Sequence, residues 1–361
     1  MAVGDKYANL IDLYVSNIFL DYELFTPYNK LDGFDLNTGK WGVSGFINST
    51  SVLGNVYGVA PLYWSTPVPS FLNAMFFLPS VMQEFGLSPH EEYEKGNWNW
   101  ATFEKYLEVL RVPATSETKD RYGLVYASDA EVCRAAILAN GVEPIYLDES
   151  DGKYKYGLKD TKAIDALTWV KGLNDKGLVK VLNDYWQQAA DGFIAHEYAF
   201  HVVNCFIAFY EGASHFASDL PEASAWIPFP NGPSAPAKTM SSQFSYNYRS
   251  LAIPDMLDEE ELGWTAILMN YIFEPFTGDT KDSWKDEIYR NFFFDQTSFD
   301  LYLEMLYAAR DDHSAAINDI ISGPLVDAYN KTVNGKGTPM ENMISIEEKM
   351  TQAINQKING E

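Results

Sequence analysis

Two stretches of the chain carry their own start and stop signals, and they constrain the fold more than any other feature. Asn99 can cap the amides that follow it, Phe103, Leu107 and Leu110 recur on one helical face, and Pro113 ends the run. Asp160 stands before a second stretch, from about Thr161, in which Ile164, Leu167, Val170 and Leu173 form a stripe that Gly177 closes. Short apolar runs alternate with these helices: Asn9 to Val15, Asn55 to Pro61, Tyr122 to Tyr126 and Leu251 to Pro254 predict strands. Phe71 to Phe85 is apolar at near-helical spacing and stops at Gly86, which predicts a helix. Trp264 to Phe273 predicts an apolar helix, and Ile344 to Ile358 an amphipathic one. Three prolines and a glycine between Trp226 and Pro233 break regular structure. Strands and helices alternating at these lengths predict an α/β fold.

Composition narrows the function. Among 361 residues, 26 Lys plus Arg face 50 Asp plus Glu, a formal net charge of -24. That excess repels phosphate backbones, so no nucleic-acid partner is expected. The six arginines are scattered, which leaves no sequence-local site for several phosphates. Nine Trp, 23 Tyr and 22 Phe exclude disorder for the bulk of the chain. Cys133 and Cys205 could form a disulfide or remain two buried thiols, the second being favoured.

Catalytic signatures are weak. His196 and His201 are five residues apart, about 140° around a helix, whereas a zincin pair needs a spacing of four. No Gly-x-Ser-x-Gly elbow occurs. Two carboxylates suffice for a glycosidase, a condition that so acidic a chain cannot fail. No metal or cofactor is expected. The aromatic residues say more, because Trp and Tyr rings stack on the apolar faces of sugars while polar side chains bind the hydroxyls. Tyr63 and Trp64 follow the predicted strand that Pro61 ends, where α/β sheets expose their ligand-binding loops. Trp100 and Trp169, on the amphipathic helices, are expected in the core.

Phe85-Gly86-Leu87-Ser88-Pro89, followed by Tyr93-Glu94-Lys95-Gly96-Asn97-Trp98-Asn99-Trp100-Ala101-Thr102-Phe103, resembles a passage of the bacterial extracellular solute-binding proteins of sugar-uptake ABC transporters. Gly54 to Val59, Arg121 to Leu124, Asn140-Gly141 with Asp148 to Lys153, Ala163 to Val179, Phe193 to Ala199 and Phe229 to Pro233 are similar to further passages of that family, in the same order. The resemblance implies a two-lobed, periplasmic-binding-protein-like (Venus flytrap) α/β fold that closes on its ligand, with residues 1–122 and 250–310 in lobe one and 123–249 and 311–361 in lobe two. It implies a non-enzymatic carbohydrate-binding component of an importer with an oligosaccharide as its ligand, extracellular or periplasmic and often lipid-anchored, monomeric, and docking on permease subunits. Carried over by position, the ligand residues would be Tyr63, Trp64, Asp129, Glu131, Arg134, Trp186, Phe206, Phe209, Tyr246, Tyr248 and Arg249. Family members begin with a signal peptide and a strand-helix-strand portion that this sequence does not show, so a first lobe truncated at its N-terminus is expected. The alternatives are a repurposed sensor and, behind it, a glycoside-acting enzyme.

Overall fold

The computed structural model describes residues 8–15, 18, 21–63, 69–116, 119–182, 186–205, 209, 224–244, 248–310 and 313–360. Two sheets organise them. The smaller has three antiparallel strands, with β12 (Arg249–Pro254) between β1 (Ile11–Tyr14) and β2 (Phe25–Thr26). Ile11 lies opposite Ala252, and Thr26 opposite Ile253. A two-residue hairpin, β3 (Ser51–Val52) with β4 (Asn55–Val56), lies nearby in the chain, and Val59 bridges to Leu251. The predicted strand through Pro61 is therefore realised only in these short pieces.

The larger sheet is mixed. Its order is β11 (Ala225–Ile227), β5 (Ala74–Phe77), β10 (Tyr198–Val203), β6 (Tyr122–Tyr126) and β9 (Val179–Val181). β10, β6 and β9 run parallel, while β5 is antiparallel to both of its neighbours. β5 and β10 are buried along their whole lengths, as strands covered by helices on both faces must be. The helix expected across Phe71 to Phe85 is instead β5 followed by a helix over Pro79–Glu84. A fully buried central strand is a continuous apolar run without alternation, so periodicity cannot distinguish it from a buried helix. Pro79 sets the boundary, being favoured at the first turn and excluded from a helix interior.

The helices with clear signals form where their caps place them. Asn99 Oδ1 accepts from the Thr102 amide at 3.1 Å and starts Trp100–Leu110. Asp160 Oδ1 accepts from the Lys162 amide at 2.8 Å and starts Thr161–Asp175. Both cysteines are buried free thiols. Among the described residues, no helix is long and apolar enough to cross a membrane.

Strand pairing joins Ala74–Phe77 to the five-stranded sheet. The helix Gln296–Tyr307 also packs beside β11, where the Trp226 amide donates to Ser298 Oγ at 3.0 Å. The chain passes between the sheets at a three-stranded junction. The Leu72 amide donates to the Gln243 carbonyl at 2.7 Å, and the Phe244 amide to the Arg310 carbonyl at 2.9 Å. Gly45 lies against this junction, and a Cβ there would overlap the Ala309 carbonyl oxygen.

Candidate functional site

Tyr63 is buried, and its hydroxyl donates to the Thr38 carbonyl at 3.3 Å. Its ring borders a small open pocket of about 110 Å³ with Phe276, Trp284, Asp286, Glu287 and Arg290. The pocket gathers aromatic rings, carboxylates and a guanidinium, the residue types that contact neutral polyhydroxylated rings, in a volume smaller than such a ring occupies. Trp284 and its neighbours were not anticipated from sequence. They stand more than two hundred positions from Tyr63, and no local pattern marks such a meeting.

A second group lies on the helix Asp129–Ala139, whose cap is Ser128 Oγ accepting from the Ala130 amide at 3.2 Å. Asp129 is 3% exposed, held in the first turn where a carboxylate complements the helix dipole. Burial, and next the Asp129 charge, push the Tyr126 phenol and the Cys133 thiol well above their ordinary pKa values. Glu131 and Arg134 are half-buried and three residues apart, so they share a helix face. Arg134 has no hydrogen-bond or ion-pair partner among the described residues, which keeps its guanidinium available.

The remaining candidates lie elsewhere. Phe209 is buried, stacked on Trp226 at 5.4 Å and edge-on to Tyr302, so its ring is engaged in the core. Tyr248 is buried and packs edge-on against Phe46 at 5.1 Å. Arg249 is exposed and forks onto Asp12, with Nε to Oδ1 at 2.9 Å and Nη2 to Oδ2 at 2.7 Å. Trp186 opens the helix Trp186–Ile194, its side chain lying outside the described set. Trp64, Phe206 and Tyr246 lie outside the described residues.

His196 takes a left-handed turn after that helix, and His201 sits inside β10, so the two imidazoles do not share a helix face. Among the described residues, no group of three His, Cys, Asp or Glu side chains could hold a metal ion.

A cavity of about 920 Å³ lies between the hairpin of β7 (Ile145–Asp148) with β8 (Lys153–Tyr156) and the helix Pro339–Ile354. Three of its cations are paired with carboxylates: Lys155 with Asp148 at 2.6 Å, Lys159 with Glu347, and Arg310 with Glu143 at 3.5 Å. None of its lining residues comes from the three-stranded sheet or the loops beside it.

Almost the whole chain superposes on solved solute-binding proteins of ABC transporters. UgpB from Mycobacterium tuberculosis, in complex with glycerophosphocholine, is 18% identical, with 99% of this chain and 86% of that one covered at a TM-score of 0.65. An ABC substrate-binding protein from Listeria monocytogenes, in complex with cycloalternan, is 16% identical, with 99% and 86% covered at 0.64. The sugar-binding protein MalE from Xanthomonas citri is 14% identical, with 96% and 84% covered at 0.67. The fold is that of the two-lobed ABC solute-binding proteins. No family model matches the sequence, and no curated protein matches it.

Proposed function

We propose that this chain is the solute-capturing component of an ABC importer, binding a carbohydrate between two lobes and releasing it unchanged to a membrane permease. Lobe one would be built on the three-stranded sheet and lobe two on the five-stranded sheet, with the Leu72, Gln243 and Arg310 segments as the hinge. The observation that carries the reading is the match to solute-binding structures over nearly the whole chain. The aromatic and carboxylate residues gathered beside Tyr63 on the lobe-one side suit contact with a neutral saccharide better than with an anion. Tyr63 and Trp64 would contact ligand from lobe one, and Glu131 and Arg134 from lobe two. Such a protein would work outside the cytoplasmic membrane, facing the permease.

Calorimetric titration of the purified chain with neutral oligosaccharides, followed by mass analysis of the recovered sugar, tests this reading. Saturable binding with the sugar returned intact is expected, and Tyr63→Ala should weaken it by about 1 kcal/mol or more. A shortened or rearranged sugar would favour a glycoside-acting enzyme instead.

A further inference from the structure

Lys40 is 4% exposed, and its side chain joins two segments that both reach the Tyr63 pocket. On one side, hydrogen bonds tie residues 38–41 to the chain leading into Tyr63. The Leu62 amide donates to the Lys40 carbonyl at 2.8 Å, the Ala60 amide to the Trp41 carbonyl at 2.9 Å, and the Tyr63 hydroxyl to the Thr38 carbonyl at 3.3 Å. On the other side lies the end of the helix Glu259–Ile272. Lys40 Nζ donates to the Asn270 carbonyl at 2.5 Å, in the last turn, where helix carbonyls run out of intrahelical donors and favour a cation. It also donates to Glu274 Oε1 at 2.6 Å, just beyond the helix. Phe276, two residues after Glu274, borders the same pocket as Tyr63.

We propose that Lys40 is a positioning residue of that pocket, its ammonium setting the spacing between the Tyr63 loop and the Phe276 segment. This role presupposes the reading that ligand contacts Tyr63. Two observations separate positioning from simple cohesion. Apolar rings already hold the loop to the helix, since Trp41 stacks on Phe34 with centroids 4.3 Å apart and meets Phe273 edge-on at 6.1 Å. A buried ammonium, in turn, is a poor source of stability, because desolvation offsets the attraction of its partners and an apolar side chain often serves as well. Glu274, with a side chain 57% exposed, stays solvated whether or not the cation is present. What the ammonium adds is direction: it draws the chain leaving the helix toward residues 38–41, and Phe276 with it. Lys40 does not itself border the pocket, so it acts through Tyr63 and Phe276. A pocket whose walls are fixed before ligand arrives spends less of the binding free energy on ordering them.

Distances between nitroxide labels on Asn37→Cys and Thr277→Cys, read by pulsed electron resonance in the full chain, test it without a ligand. Both positions are exposed, one on each segment, and the native cysteines are buried. The labelled chain should give one narrow distance, which Lys40→Met broadens or lengthens while leaving the melting temperature nearly in place. An unchanged distance in Lys40→Met would overturn the proposal. Should that variant fail to fold, Glu274→Gln, a change at an exposed carboxylate, decides in its stead: a broadened distance supports the proposal and an unchanged one overturns it. Titration with maltotriose, cellotriose and xylotriose separates the proposal from the transport reading. A sugar that binds the unsubstituted chain should bind Lys40→Met about tenfold more weakly or worse, and equal affinity would overturn the positioning role. If none of the three binds, the carbohydrate reading fails for them, and the label distances alone decide whether Lys40 sets the spacing.

Discussion

Trp100 and Trp169 stack face to face, with ring centroids 4.5 Å apart and planes 5° from parallel. The pair joins the first turn of one capped helix to the middle of another, and Phe229 of the proline-rich segment meets Trp169 edge-on at 6.1 Å. The Trp100 amide donates to the Asn231 carbonyl at 3.0 Å, so backbone and ring fix the same corner. Trp100→Ala should cost about 3 kcal/mol of stability. A double-mutant cycle with Trp169→Ala in urea should show a coupling of about 1 kcal/mol, and independent effects of the two changes would contradict the stack's role.

Two glycines should respond oppositely to the same substitution. Gly45→Ala drives a methyl into the Ala309 carbonyl at the junction between sheets and should destabilise by about 2 kcal/mol. Gly172 lies in the last turn of the helix Thr161–Asp175 with open space beside it, and Gly172→Ala should stabilise by up to about 1 kcal/mol. Melting temperatures of the two variants check both signs, and a stable Gly45→Ala would mean that the close approach is not maintained.

Burial holds His201 neutral inside β10, its pKa lowered from 6.5 to about 3. Below about pH 6.5 the unfolded chain takes up a proton that the folded chain refuses, so unfolding becomes progressively easier as pH falls toward 3. Above 6.5 the imidazole is neutral in both states and contributes no slope. His201→Phe should flatten the pH dependence of the urea midpoint between about pH 6.5 and 5, where most carboxylates remain ionised in both states. An unchanged slope would place its origin elsewhere.

What the sequence made legible was what local chemistry determines. Asn99 and Asp160 as caps, and Gly86 and Gly177 in left-handed conformations just past their helices, follow from residue type alone. Ala74–Phe77 was not legible, because burial on both faces removes the alternation that identifies a strand. The helix at Trp264 was legible as a helix, but its orientation was not: packing small residues inward and large ones outward runs against the rule that assigns a core face. At the candidate site, Tyr63 was marked by its place after a proline-ended run. Trp284 and Arg290 reach it only through tertiary folding. The family resemblance places Phe209 and Tyr248 at the ligand, and their rings pack against Trp226 and Phe46, contacts that only tertiary folding creates.

Thermal unfolding of the purified chain against a panel of neutral oligosaccharides tests the central claim most directly. A sugar present at about a hundred times its Kd should add roughly 2.7 kcal/mol to the stability of the native state, raising the transition by several degrees. The account predicts that one class of sugar produces this shift while anionic solutes leave the transition in place. A cooperative transition that no sugar moves would contradict it.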